Sequence, residues 1–417
     1  MMVFENQSSF FAPFWAEDYE AFCRSIEKDS RWKPTPDWQN RPSYFFQYAS
    51  QIISRKETFR TYIYQGGGLS DIYMFQGYEA LEHGFQVHEV RLNVFGTGAG
   101  FLEYRVKYGD ADLETITQFA YHFKKARTPD TNKNLDRGGK VSLYDFSRRI
   151  LPDETAQTLF FTSSAEFKYE CHSYHMIKVD RGAYSDAELE TCLKKLQWTY
   201  GKQINMDSAD LNGEYNFVYK ANAQDWWAGS QESLVDLSIE TGDPQLDRFL
   251  KNQKMLQLVR DYRMLYLILL NQRYSALYYI SQAAENENKP LEFFQKLGYH
   301  IARLKNTYSF RLISDDRNYQ NLYAELYRIF KIDLLLQDLA DNQERLVLLR
   351  GEETEKTDRK INLILVVIAV LSLASVLIDA SDYLDRWGID KTVSTIISLA
   401  ITVLVLVAVL LLFRKKR

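Results

Sequence analysis

The residues best suited to ligand chemistry lie in one short run, 225–232. Two adjacent tryptophans, Trp226 and Trp227, are followed by a glycine and by the hydrogen-bonding side chains of Ser230 and Gln231. Indole rings can stack on a purine, and polar side chains beside them can recognise its edge. The run therefore suggests a nucleotide site. The alternative is that the tryptophan pair fills a hydrophobic core at a domain boundary.

A phosphate contact for such a ligand is available from Arg148 and Arg149 in the run SRRILP. Guanidinium groups match phosphate oxygens because two parallel N–H groups can bind at once. We therefore expect a small nucleotide messenger as a ligand. The alternative is a pair of solvated surface arginines.

Other candidate chemistry is weaker. The glycine-rich run 96–100 precedes a strand, without the Lys-Ser/Thr and helix of a phosphate loop, so it predicts a hairpin turn. His172 and His175 point to opposite faces of a predicted strand, which argues against a zinc site with Cys171. The other histidines are isolated. We expect no enzyme activity and no cofactor beyond a possible divalent cation or nucleotide.

Two runs near the C-terminus, 361–378 and 392–413, contain no charged residue. A bilayer core about 30 Å thick needs about 20 helical residues, so the sequence predicts two transmembrane helices joined by an external loop, 379–391. Lys and Arg flank the outer ends of both runs, which places both termini in the cytoplasm. The alternative is a pair of buried core helices.

The polar residues of the first run fall on one arc of roughly 140° at helical spacing. Two spans cannot enclose an aqueous path alone, so a pore on this face requires an oligomer surrounded by membrane lipid. The alternative is that small residues mark close helix packing. The predicted pore-lining residues are Asn362, Leu365, Ala369, Ser372, Ser375 and Asp379.

An acidic ring is predicted at the outer mouth of that pore. Asp379 and Asp382, repeated around a symmetric oligomer, would attract cations and form the only predicted metal site. The alternative is an ordinary solvated loop.

The rest of the chain predicts an α+β cytosolic domain over 1–245 and a helical stalk over 246–360, before the membrane domain 361–417. The hairpin around the glycine run and a helix capped by Ser185 are its clearest elements. Apolar residues at helical spacing from Tyr319 onward favour one continuous helix into the first span.

Composition limits the partners. The net charge of −4 and the lack of a basic face exclude nucleic acid as a principal partner. The 3 cysteines are scattered and odd in number, which fits a reducing compartment.

The architecture resembles that of the CorA divalent-cation channel superfamily. Four segments also resemble divergent bacterial members, some of which accompany type III CRISPR-like nucleotide signalling: VRLNVFGTGAGFLEYRV, SRRILP, WWAGSQESLV and LYLILLNQRYSAL. The signature Gly-Met-Asn is absent, and the sequence has Ile378 to Asp382 in its place. The resemblance implies a homopentameric funnel in the bacterial inner membrane.

Two functions are compatible with these features. The first is a CorA-like homo-oligomeric channel that passes cations through a pore lined by the first span and is gated by the cytosolic domain. The second is an antiviral membrane effector, activated by a nucleotide messenger, that permeabilises the bilayer. A scaffold without a pore is the third, plainer alternative.

Overall fold

The structure is a computed structural model of the 417-residue chain. It describes residues 6–35, 41–72, 85–109, 111–125, 139–152, 171–180, 182–198, 213–286, 288–310, 312–345, 347–348 and 351, and the single positions 361, 365, 396, 400 and 403. The chain divides into two compact units, 1–286 with 296–342 and 287–295 with 343–417. The strands and helices belong to the first unit, except that the start of the helix Leu291–Tyr308, residues 291–295, and the end of the helix 332–345, residues 343–345, belong to the second. The predicted domain boundaries after residues 245 and 360 stay predictions.

A nine-stranded sheet forms the centre of the first unit, with the strand order β2-β3-β4-β5-β1-β6-β9-β8-β7. The strands pair in antiparallel fashion except β6 and β9, which are parallel. In chain order they are β1 Gln7–Trp15, β2 Trp32–Pro34, β3 Phe59–Tyr64, β4 Phe85–Phe95, β5 Ala99–Tyr108, β6 His172–Val179, β7 Asn216–Lys220, β8 Asp225–Ser230 and β9 Ser233–Ile239.

The helices begin at residues that satisfy their first backbone amides. Asp18, Ser142, Ser185, Asp243 and Asp316 each accept such an amide, and Ser185 forms the predicted capping box with Glu188. The helices are α1 Tyr19–Lys28, α2 Gln47–Ile53, α3 Leu113–Lys125, α4 Leu143–Ile150, α5 Asp186–Gln197, α6 Pro244–Phe249, α7 Arg263–Glu285, α8 Leu291–Tyr308, α9 Arg317–Ile329 and α10 over 332–345.

The two faces of the sheet carry separate helical layers. On β1, Phe10 contacts Phe119 and Phe123 of α3, whereas Phe11 contacts Tyr266 of α7. Successive side chains of a strand point to opposite faces, so this alternation assigns α1, α3, α4 and α5 to one layer and α7, α8 and α9 to the other. The central strand is therefore buried on both sides.

The predicted glycine hairpin is confirmed. β4 and β5 pair on either side of a tight turn in which Gly98 has a φ of +103°. Its amide donates to the carbonyl of Phe95 and its own carbonyl accepts from Ala16. The turn therefore joins the hairpin to the end of β1.

Gly98→Ala is expected to destabilise the protein by about 2 kcal/mol, because an L side chain is strained at this φ. A Cβ there would also approach the Ala16 carbonyl oxygen to 2.7 Å. Gly139→Ala is the matched control, since Gly139 also has a positive φ but open space around it. Thermal unfolding should show the larger loss for Gly98→Ala, and equal losses would contradict the role of close contact.

Between α6 and α7 the helix widens into two π-helical segments, Leu250–Lys254 and Leu258–Tyr262, separated by Met255–Gln257. π-Helical turns are rare and occur frequently at functional sites. This irregular helix places Lys254 and Asp261 inside the protein, and the first residue of α7, Arg263, is buried directly after it; each contacts a different part of the first unit.

The predicted continuous stalk is wrong. α9 ends at Ile329, and Lys331 has a φ of +57° before residues 332–345 become helical again. A left-handed residue ends an α-helix because it turns the chain away from the helix axis. The apolar stripe that starts at Tyr319 is thus divided between α9 and α10.

The predicted fold class, with a CorA-like funnel, and the predicted inner-membrane location are corrected by the structure. In the part of the chain that it describes, no helix is long and apolar enough to cross a bilayer. Except for the five single positions given above, the runs 361–378 and 392–413 lie outside that part. The described architecture is instead a mixed sheet between two layers of helices.

Candidate functional site

The two tryptophans of the predicted nucleotide site do not face the same space. Trp226 lies in the core on the α1, α3, α4 and α5 side of the sheet, whereas Trp227 contacts Tyr262 on the other side, with 4.7 Å between ring centroids. Neighbouring residues of a strand point to opposite faces, and these two occupy consecutive positions of β8. One purine therefore cannot stack on both.

The other residues of this predicted site are also used within the fold. The Ser230 hydroxyl donates to the carbonyl of Gln197, and the Gln231 amide donates to the carbonyl of Ile329 at 3.1 Å. These two hydrogen bonds connect β8 and the turn after it to the ends of α5 and α9.

Arg148 and Arg149 lie in the last turn of α4, both exposed. Among the strands, α4 contacts β2, β3 and β5 through Trp32, Tyr64 and Tyr104. At about 4.8 Å per strand, β8 lies about 19 Å from β5 along the sheet. The structure therefore does not bring the arginine pair to the tryptophan run.

The histidines next to Cys171 point to opposite faces, as predicted. The His175 ring contacts the Ser8 hydroxyl at 2.5 Å, and the His172 ring contacts the Tyr274 hydroxyl at 2.6 Å on the other side. Burial lowers the pKa of His175 to about 3, so it is neutral at physiological pH. Within the described ranges no group of His, Cys, Asp and Glu could hold a metal ion.

The predicted pore and metal residues lie almost wholly outside the described residues. Only Leu365 is described, in helical conformation and 56% exposed. Outside are Asn362, Ala369, Ser372, Ser375, Asp379 and Asp382.

A cavity of about 240 Å³ opens at the edge of the sheet. β2 ends at Pro34 after pairing with only the second half of β3, so among the described residues the first half of β3 has no neighbouring strand on this side. α2 and the turn after it form the opposite wall. The lining residues are Glu27, Pro34, Thr35, Arg41, Ile53, Ser54, Lys56, Phe59, Arg60, Thr61 and Tyr62.

Three cationic side chains line this edge cavity: Arg41, Lys56 and Arg60. The Arg60 guanidinium forms ion pairs with two carboxylates of α1, Glu20 at 2.8 Å and Glu27 at 3.4 Å. Among the described residues, neither Arg41 nor Lys56 has a carboxylate partner. The cavity therefore combines one fixed cation with two uncompensated ones.

The hydroxyl of Thr35 is buried beside these cations and has no hydrogen-bond partner among the described residues. Leaving a buried hydroxyl unpaired costs about 1–3 kcal/mol. Its backbone amide donates to the Thr61 carbonyl at 2.9 Å, which fixes the residue at the cavity. Thr35 can therefore donate to, or accept from, a bound ligand.

Among the described lining residues the cavity contains no activated nucleophile. Burial raises the pKa of Cys23, which lies behind its wall, to about 11, and burial also raises the pKa of Tyr62 well above its usual value. Tyr62 stays protonated and donates to Glu27 at 3.0 Å. This arrangement suits the binding of an anion better than covalent chemistry.

No known family matches the chain. Comparison with family models, with curated proteins and with solved structures found no significant similarity to any of them. The resemblance to the CorA superfamily therefore stays a prediction. Function has to be inferred from the site itself.

The cavity residues were not singled out from the sequence, because they come from separate segments. Of its three cations only Lys56 and Arg60 are close in the chain, and two cations four residues apart are too common a pattern to indicate a site. The early end of β2, which opens the cavity, gives no sequence signal beyond the Pro34/Pro36 pair.

Proposed function

We propose that the first unit is a ligand-sensing domain that binds a small phosphorylated anion in the edge cavity. The observation that carries the proposal is that one cavity is lined by two cations without a described carboxylate partner, by the paired Arg60 and by an unpartnered buried hydroxyl. Arginine binds phosphate through parallel N–H donors, and lysine adds a compact charge.

The lining supports an organic phosphate over a free inorganic ion. Pro34, Ile53 and Phe59 supply apolar surface that a sugar or small organic group would cover. Ligand sites generally combine such apolar walls with a few convergent polar groups.

The volume of about 240 Å³ lies below the range of about 300–1,000 Å³ common for drug-sized ligands. A sugar phosphate or a single nucleotide is therefore the expected class. A cyclic oligoadenylate is too large to be enclosed there. The proposal keeps the predicted nucleotide messenger as a ligand class and moves its site away from Trp226 and Trp227.

The two predicted membrane functions gain no support from the described residues. The channel and the effector both require the membrane location that was corrected above, and the pore residues other than Leu365 lie outside the described ranges. The prediction that the chain is not an enzyme stays a prediction.

Isothermal titration of the full chain with inorganic phosphate, ribose 5-phosphate and AMP tests the proposal. We expect ribose 5-phosphate or AMP to bind, and Lys56→Gln to weaken binding about tenfold, which corresponds to about 1.4 kcal/mol. The affinity should also fall with salt, because the contacts are electrostatic.

The matched control is Lys195→Gln on α5, which packs against β7, β8 and β9 at the other end of the sheet. The affinity of Lys195→Gln for the phosphate ligands should equal that of the unchanged chain. Absence of binding by all three ligands, or equal losses in Lys56→Gln and Lys195→Gln, would refute the proposed site.

A further inference from the structure

Arg41 belongs to a segment, residues 41–46, that has no regular secondary structure. We call it the Arg41 segment. Its position is set by groups distant in the chain, because Phe46 donates its amide to the Ile313 carbonyl and the Tyr44 carbonyl accepts from the Ser314 hydroxyl. The orientation of Arg41 at the cavity thus depends on the helical layer behind it.

The second π-helical segment, Leu258–Tyr262, supplies the central contact. Asp261 has a fully buried carboxylate that accepts the backbone amide of Ser43 at 2.6 Å. The neighbouring Arg260 pairs with this carboxylate at 2.9 Å and also donates to the Ser43 hydroxyl. One charged pair therefore binds both the backbone and the side chain of the residue two positions after Arg41.

An aromatic stack connects the same segment to the core. The Tyr44 ring stacks on Tyr319 of α9, with 5.1 Å between centroids, and Tyr319 stacks on Tyr262 at 4.1 Å. Gln257 donates to the Tyr44 hydroxyl at 2.8 Å. Gln257 of the irregular helix and Tyr319 of α9 thus contact Tyr44 directly, whereas Tyr262 acts on it through Tyr319.

We propose that Asp261 is a positioning residue for the anion site, through which the irregular helix controls the placement of Arg41. This inference rests on the proposed function. Asp261 does not line the cavity, so its effect on binding must pass through the Arg41 segment. The π-helical turn has a function in this arrangement, because it directs a buried carboxylate to a segment without regular secondary structure, whose Pro42 carbonyl also accepts from Ser50 of α2.

A double-mutant cycle tests whether Asp261 acts through Arg41. We expect Asp261→Ala and Arg41→Gln each to weaken binding of AMP or ribose 5-phosphate about tenfold. The double variant should bind about tenfold more weakly than the unchanged chain, and no more weakly than either single variant. Once Arg41 is replaced, Asp261 has no guanidinium left to position. A purely structural role of Asp261 would instead give a double variant that loses about a hundredfold.

Asp261→Asn keeps an oxygen that can accept the Ser43 amide, and should bind within about threefold of the unchanged chain. Amide hydrogen exchange at Ser43 should accelerate in Asp261→Ala and not in Asp261→Asn. Asp338→Ala, which removes an exposed carboxylate on α10, is the control and should change neither measurement.

The outcomes separate the two proposals. If the unchanged chain binds none of the phosphates, the proposed function fails and this inference with it. If the chain binds and Asp261→Ala binds equally well, only the inference is overturned. Additive losses in the double variant overturn it as well.

Discussion

Arg263→Met is expected to lower the free energy of unfolding by about 3–5 kcal/mol, because it leaves a buried carboxylate without its main partner. Arg263 and Glu103 are both almost fully buried, and the guanidinium Nε lies 2.7 Å from the carboxylate. Asn93 and Ser9 complete the cluster with hydrogen bonds to the same two groups. Burial alone would raise the pKa of Glu103, but the charge of Arg263 prevails and lowers it to about 2.

Urea unfolding followed by tryptophan fluorescence measures this loss. The double variant Glu103→Leu with Arg263→Met should recover most of it, because replacing both members of a buried pair by apolar residues is often neutral. Lys220→Met breaks the exposed pair with Asp186 and should cost about 1 kcal/mol or less. A loss in Arg263→Met no larger than in Lys220→Met would show that the buried pair is not a major stabilising contact.

The second large effect is a pH dependence of stability that originates at Asp236. This carboxylate is fully buried on β9 and pairs with Lys254 at 3.0 Å, while Asp225 competes for the same ammonium group. Burial and Asp225 together raise the pKa of Asp236 to about 6, against the opposing effect of Lys254.

The sign follows from the unfolded value, about 3.9 for aspartate. The folded protein holds this proton more tightly than the unfolded chain, so the stabilising contribution is complete below pH 4 and is lost as the pH rises through 6. At about 1.4 kcal/mol per pKa unit, the contribution amounts to about 3 kcal/mol.

Asp236→Asn carries no titrating proton at this position. The difference in unfolding free energy between variant and unchanged chain should therefore shift in favour of the variant by about 3 kcal/mol between pH 4 and pH 8. Asp338→Asn, at an exposed position, controls for the loss of one charge. A difference that is independent of pH would mean that Asp236 titrates as an ordinary aspartate.

Local signals in the sequence predicted local structure correctly. The glycine turn between β4 and β5 and the capping box at Ser185 both depend on residues close in the chain. The strand β1 was missed because it is buried on both faces, so its residues do not alternate between apolar and polar, and because Pro13 lies within it.

Features set by distant contacts could not be predicted. The helix is interrupted at Lys331, between α9 and α10, although neither Gly nor Pro occurs at this position. The tryptophan run was expected to bind a ligand, but its place in β8 follows from pairing with β7 and β9. The cavity cations come from β3 and from the segments before and after α2, an arrangement that residue spacing does not encode.

The position of β1 in the middle of the sheet affects the folding of the chain during its synthesis. β1 is synthesised before both of its neighbours, because it pairs with β5 on one side and with β6 on the other. Until residues 172–179 have been synthesised, one long edge of β1 has no partner, and an apolar strand edge is a surface for aggregation. Nascent chains that stop before β6 therefore expose this edge, which favours aggregation.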